Sequence, residues 1–270
     1  MLTRLLLAGM AAISLSAADA RIVLLAGTPS HPPGAHEYNA GMILLAKCLR
    51  QNPGVSAVVV KGGWPQDESV FEGASAVVFF MDGRQHHVAL DHLDLLTKLM
   101  AKGVGMGALH YGVDVPKDRG GPQFLDWLGG YYEQDYSLNP VNEAVLTQAS
   151  PQHPVSRGWK GFELKDEWYY RIRFRDGDTR VTPILTTMLP KNAPEKQTVA
   201  WVTERADGGR AFGYTGGHYH SNWGVLEPRR LVVNGLLWIA KAKVPAGGAR
   251  CEITAEELTQ NLDDKPQPKK

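Results

Sequence analysis

Nine histidines are spread over 270 residues. Most of those that are not adjacent in sequence fall just beyond an apolar run that reads as a strand. His31, His36 and Glu37 follow the first such run, His110 and Tyr111 the fourth, and His218 and His220 the last. Asp166, Glu167 and Trp168 fall in a loop between two groups of predicted strands. Imidazole near neutral pH serves as a general base or as a metal ligand, and a carboxylate beside it can act as acid, base or ligand. The spacing therefore points to acid–base or metal chemistry rather than to thiol chemistry.

His110 is the sharpest of these signals. Gly103-Val-Gly-Met-Gly-Ala-Leu-His110-Tyr-Gly112 reads as a strand, then a polar residue at the turn, then a glycine that permits a tight bend. A nucleophile elbow is built this way, with strain exposing one side chain at the top of a sheet. The resident here is histidine, so the segment offers a base or a ligand; a histidine that only caps the turn is the competing reading. The same glycines lie inside the strand and do not open a helix, so they make a poor dinucleotide fingerprint. In Gly216-Gly-His218-Tyr-His220 an extended backbone would turn both imidazoles to one side. They could then chelate a metal or bracket a substrate, or one could act while the other is solvated. Adjacent Asp166 and Glu167 would point to opposite faces of an extended chain, so one carboxylate enters the cleft. His31 and His36 share a Pro-Pro-Gly loop of unreadable geometry; these two, His86-His87 and His153 read by themselves as surface residues.

Weighed together, His110, Glu167, His218 and His220 are the candidate catalytic residues. Tyr38, Tyr111, Asp166, Trp168 and Trp223 are the candidate substrate-binding residues, because an aromatic-lined polar cleft suits sugar rings. By their strand-end positions His36, His110 and His218 are the candidate ligands of a divalent metal, with zinc preferred.

The elements that must position these groups alternate through the first half. Arg21–Ala26, Val55–Val60, Ala74–Phe80 and Gly103–Leu109 read as strands, and Glu37–Gln51 and His87–Lys102 as amphipathic helices. Short apolar strands alternating with amphipathic helices predict a parallel sheet covered on both faces. In the second half Phe124–Tyr132 reads as a short helix, and Val181–Thr186, Val199–Glu204 and Arg210–Thr215 as strands. Asp207-Gly-Gly turns the last two into a hairpin. Arg229–Lys243 reads as a final helix with Leu231, Asn234, Leu237 and Trp238 toward the core.

The N-terminus carries a basic residue, an apolar run from Leu5 to Leu15, and Ala18-Asp-Ala20. This is the pattern of a cleavable export signal over residues 1–20. The run is well short of the roughly 20 apolar residues that a membrane span needs. The expected organisation is a signal at 1–20, one domain at 21–245 and a polar, disordered tail at 246–270, in an exported protein that is periplasmic or secreted. With 29 Lys+Arg against 28 Asp+Glu and no basic stripe, a nucleic-acid partner is not expected. Membrane insertion after cleavage is not expected either, and homo-oligomerisation stays open. The two cysteines, Cys48 and Cys251, could pair in an oxidising compartment, or Cys48 could be a buried thiol.

Several segments together resemble the ThuA-like, or trehalose-utilisation, family. They are His31-x4-His36-Glu37, Gly105-Met-Gly-Ala-Leu-His110-Tyr-Gly112, Phe124-Leu-Asp-Trp-Leu-Gly-Gly130, Asp166-Glu-Trp-Tyr169 and Thr215-Gly-Gly-His-Tyr-His220. The resemblance runs from about Arg21 to Pro245. It implies a flavodoxin-like, class I glutamine amidotransferase-like α/β fold and a small-molecule partner that is a sugar or glycoside. In true glutamine amidotransferases the elbow carries a cysteine, and a histidine follows a late strand. Here His110 holds the elbow, so no thiolate can form an acyl-enzyme and glutaminase activity is not expected. The expected role is elimination or hydrolysis of a keto-sugar such as a 3-keto-glycoside, against two alternatives: a non-catalytic sugar-binding protein, or a degenerate amidotransferase acting as a scaffold.

Overall fold

A computed structural model describes residues 19–265. The expected export signal lies outside the described residues except for its last two positions. The chain runs β1 (Ala20–Ala26), α1 (Tyr38–Arg50), β2 (Val55–Val60), β3 (Ala76–Phe80), α2 (Leu93–Ala101), β4 (Gly105–Leu109), α3 (Gly121–Trp127), β5 (Gly130–Tyr131) and β6 (Val141–Gln148). It continues through β7 (Phe162–Glu167), β8 (Arg173–Phe174), β9 (Val181–Leu189), β10 (Glu195–Glu204), β11 (Arg210–Tyr214), α4 (Leu226–Ile239) and α5 (Ala255–Thr259).

Nine strands form one mixed sheet in the order β2-β1-β3-β4-β11-β10-β9-β6-β7. The first five run parallel to one another, in the flavodoxin-like order with its switch point between β1 and β3. From β11 onward every neighbour is antiparallel. The Asp207-Gly-Gly hairpin joins β10 to β11 as the sequence predicts. β1 shows why the parallel half is stable: Ile22, Leu24 and Ala26 pack on the face covered by α1 and α4, and Val23 and Leu25 on the opposite face. Strands buried on both faces read as continuous apolar runs, as this one does.

Two expectations change, two strands are added, and the alternative left open at the cysteines is resolved. The single helix expected over 87–102 is a 3-10 turn at Val88–Asp91 followed by α2, with His92 between them. Strands β6 and β7 carry no apolar run and escape the sequence reading; their burial alternates because one face meets solvent. Residues 246–265 are not a disordered tail: Ala249 and Cys251 are buried and α5 has a Thr254/Glu257 capping box. Cys48 and Cys251 are free buried thiols, not a disulfide.

Candidate metal-binding site

The cleft opens at the carboxyl ends of the parallel strands, where an open α/β sheet places its ligands. Just beyond β4 the backbone of His110 enters the left-handed region at φ 51°, a sparsely populated conformation for a non-glycine residue. His31 and His36, in the loop after β1, share it at φ 64° and 51°. Such outliers persist where surrounding structure holds them, and they cluster at functional sites. Gly112 closes the bend after His110; a Cβ there would meet the Phe79 carbonyl at 2.9 Å.

Four side chains converge: His36, His110, His218 and Glu167. His36 Nε2 lies 2.8 Å from His218 Nδ1 and 3.1 Å from His110 Nε2. Glu167 Oε2 lies 3.4 Å from His110 Nε2 and 3.3 Å from His218 Nδ1. These four separations close a ring. A tetrahedron with ligands about 2.0–2.1 Å from its centre has edges of about 3.3 Å, so the ring has the dimensions of a four-coordinate metal centre.

The outer hydrogen bonds fix which atoms face inward. His110 Nδ1 donates to the Thr215 carbonyl at 2.8 Å, which leaves Nε2 of the neutral ring a lone pair. Tyr38 donates its hydroxyl to Asp82 Oδ1 at 2.7 Å, so its oxygen accepts from His36 Nδ1 at 2.6 Å. His36 Nε2 is then also a lone pair. Burial holds the His36 imidazole neutral, with its pKa pushed down to about 3. Two lone pairs thus face each other at 3.1 Å, with one proton of His218 to share. A cation between them relieves the repulsion, and a ligand imidazole whose other nitrogen donates to a carbonyl or a carboxylate-backed partner is the usual outer arrangement of a metal site.

The carboxylates are charged. Burial pushes the Glu167 carboxyl up, but the neighbouring His110 and His218 imidazoles outweigh it and hold the group well below the usual range. Burial acts likewise on Asp82, and the neighbouring His36 imidazole together with hydrogen bonds from Tyr38 and Ser30 brings it down to about 2. His31, Asp82 and His36 form a second group of potential ligands. Because His36 Nδ1 is already given to Tyr38, this group orients the first.

Asp166 and Glu167 take opposite faces, as an extended chain requires. Glu167 at the end of β7 enters the site. Asp166, fully buried, instead receives the backbone N–H groups of Gly217 at 2.7 Å and His218 at 3.1 Å. It therefore holds the loop that presents His218, and it is no substrate contact. Gly217 adopts φ 110°, which a side chain would strain.

Several sequence expectations are corrected. His220 is not in the group: a 3-10 turn begins there, which ends the extended spacing, and its Nε2 donates to the Leu258 carbonyl at 2.8 Å. Trp168 and Trp223 are core residues, so neither offers a face to a sugar. Tyr38 is fully buried and acts on His36 rather than on a ligand. Tyr111 is half-buried beside His31 and His36 and does reach the mouth. His36 and His87 are buried, not surface residues. His31, by contrast, is the open imidazole of the cluster, 38% exposed, with its ring 3.7 Å from that of His36. Asp82 escaped the sequence reading, although an acidic residue two positions past an apolar strand fits the strand-end rule that picked out His110.

The C-terminal segment braces the same loop. Lys265 Nζ donates to the carbonyls of Ala35 and His36 and lies 3.2 Å from Glu37 Oε1, both side chains being almost wholly buried. Glu37 also receives the N–H groups of Gly34 and Asp263 at 2.7 Å each.

A family model described as trehalose utilisation matches residues 25–239. The chain belongs to the ThuA family. Its fold is shared with a ThuA-like protein from Parabacteroides merdae ATCC 43184, with a TM-score of 0.59 at 17% identity over 86% of this chain and 95% of that one. A ThuA-like protein from Bacteroides uniformis ATCC 8492 gives the same score and identity over 82% and 92%. Agd3, a carbohydrate deacetylase, gives 0.51 at 13% identity, over 83% of this chain and 33% of its own. No curated protein sequence matches this one. Among the described residues no helix is long and apolar enough to cross a membrane.

Proposed function

We propose that this ThuA-family protein is an exported enzyme of carbohydrate metabolism that eliminates or hydrolyses a keto-sugar or 3-keto-glycoside at a divalent metal centre, with zinc preferred. The observation that carries the reading is the ring formed by His36, His110, His218 and Glu167, with two imidazole lone pairs turned on one point. The family description and the carbohydrate deacetylase among the structural neighbours support a carbohydrate substrate. The signal pattern at residues 1–20 supports export.

A ketone beside the leaving position acidifies the intervening C–H. A cation at the ring would supply Lewis acidity toward the ketone oxygen. The protein's own part is positioning. Thr215 and Tyr38 lock the ring orientations of His110 and His36, and Asp166 locks the loop of His218. His110, fully buried, serves as a ligand and not as the base. His31 faces the mouth with Ser30 Oγ 2.9 Å from its Nδ1, which places it to accept a proton from a bound substrate. Tyr111 flanks the same opening.

Glutaminase chemistry has no nucleophile here. The elbow holds His110, and burial raises both thiols, Cys48 to about 12. The non-catalytic sugar-binding alternative relied on cleft aromatics, and the burial of Tyr38, Trp168 and Trp223 leaves only Tyr111 of the four candidates at the mouth. The test is a product assay on 3-keto-disaccharides with elemental analysis of the same protein. Turnover that disappears in His110→Ala, in a variant that melts like the wild type, supports the reading. Full activity in that variant overturns it.

A further inference from the structure

One face of β6 and β7, with the adjoining ends of β9 and β10, is exposed, and its side chains are ordered by charge. Register sets Glu163 of β7 beside Val145 of β6, and Lys196 of β10 beside Met188 of β9. Strands β6 and β9 meet at Thr147 and Thr186. Continuing that register by two residues brings Val145 to Met188, and all four side chains line one groove. A row across the face therefore reads acid, apolar, apolar, base.

This flank is unlike the rest of the surface. Among the described residues six large apolar side chains are exposed, and three of them, Val141, Val145 and Met188, lie on β6 and β9. Glu143 and Lys165 are cross-strand neighbours of opposite charge, so the charge separation resides in the row through Glu163 and Lys196. Among the described residues neither Glu163 nor Lys196 forms an ion pair within its own chain. They stand three strand spacings apart, about 14 Å, which is too far for them to satisfy each other.

We propose that this face is an interface between two copies of the chain, packed sheet against sheet about a two-fold axis parallel to the strands. Such an axis reverses the row. Glu163 then meets Lys196 of the second copy at both ends, and Val145 meets Met188 twice in the middle. A two-fold axis across the strands would instead set Glu163 against Glu163 and Lys196 against Lys196, so charge selects the first. An isologous contact needs a surface complementary to itself, and acid-apolar-apolar-base is complementary to its own reverse. An unrelated partner would not require that order. Sheets packed face to face stand about 10 Å apart, a gap that two interdigitated layers of side chains fill. Burial of the apolar centre supplies attraction, and the charge pairs at the rim fix the direction of packing. The inference does not depend on the reaction proposed above.

The test is sedimentation equilibrium over a concentration series, with wild type, Glu163→Lys, Lys196→Glu and the double variant carrying both reversals. The wild type is expected to form a dimer. Each single reversal sets like charges against each other at both ends of the contact and should weaken dimerisation by about 10- to 100-fold. The double variant restores opposite charges and should return to the wild-type constant. All these side chains are exposed, so unfolding of the dilute protomer should be unchanged, which separates lost association from lost folding. Val145→Lys buries a charge in the apolar centre and should likewise dissociate the dimer and spare the dilute protomer. A wild type that stays monomeric at every concentration overturns the inference and leaves the face to another partner. A dimer indifferent to the single reversals, or one that the double reversal fails to restore, overturns it as well.

Discussion

The two halves of the sheet do different work. The parallel half, β2-β1-β3-β4-β11, is buried on both faces apart from its edge strand β2, and its strand ends present His31, His36, Asp82 and His110. In the antiparallel half, β10-β9-β6-β7, the outer strands β6 and β7 are wet on one side, yet β7 delivers Glu167 to the same point and holds the His218 loop through Asp166. A rigid apolar frame therefore supplies three imidazoles and a supporting carboxylate, and a more exposed flank completes the ring. The site exists only where the two halves meet.

Breaking the frame's contribution should have the largest effect. His110→Ala removes an inward-facing nitrogen and should abolish both metal retention and turnover, read by elemental analysis and product assay. The flank should be less absolute. Asp166→Asn weakens the hold on the Gly217 and His218 N–H groups, and it should cost about 10–100-fold in metal affinity, as loss of an outer partner does. An unchanged affinity in a competition titration would make Asp166 merely structural.

The C-terminal brace belongs to neither half, and it tests whether the His36 loop needs external support. Lys265→Met strands Glu37 in a buried environment and should destabilise the fold by about 3 kcal/mol in denaturant unfolding. A loss below about 1 kcal/mol would show that the segment is dispensable.

A smaller effect sharpens the account of the elbow. His87 Nε2 donates to the Gly112 carbonyl at 3.1 Å, and Nδ1 accepts from the Ala89 N–H. Burial pushes this imidazole down to about 4. Its folded pKa lies below the unfolded value of about 6.5, so its contribution is present above pH 6.5 and is lost as pH falls toward 4. Unfolding midpoints should therefore drop across that window, and His87→Gln should flatten the drop. The smallest effect belongs to the wet face: Val145→Lys, at a position 65% exposed, should move stability by no more than about 0.5 kcal/mol.

What could be read from the sequence follows the same division. Continuous apolar runs such as Ile22–Ala26 announced the parallel half, because burial on both faces leaves no polar positions. In β6, Val-Asn-Glu-Ala-Val-Leu-Thr-Gln alternates too weakly to stand out, because half of its residues meet water. His110 was legible because strand, turn and glycine sit next to each other in the chain. His220 misled because its spacing from His218 assumed an extended backbone, where a 3-10 turn begins. Asp166 and Trp168 flank Glu167 on the face turned away from the site, which spacing allowed but could not assign. Lys265 was unreadable because its partners at Ala35, His36 and Glu37 lie across almost the whole chain.

The central claim is that the ring of three imidazoles and Glu167 holds one divalent cation. The most direct measurement is inductively coupled plasma analysis of wild-type and His110→Ala protein, loaded with zinc and then dialysed exhaustively. The account predicts about one zinc per wild-type chain and none in the variant. Wild-type protein that emerges without stoichiometric metal, or a variant that retains it, would contradict the claim.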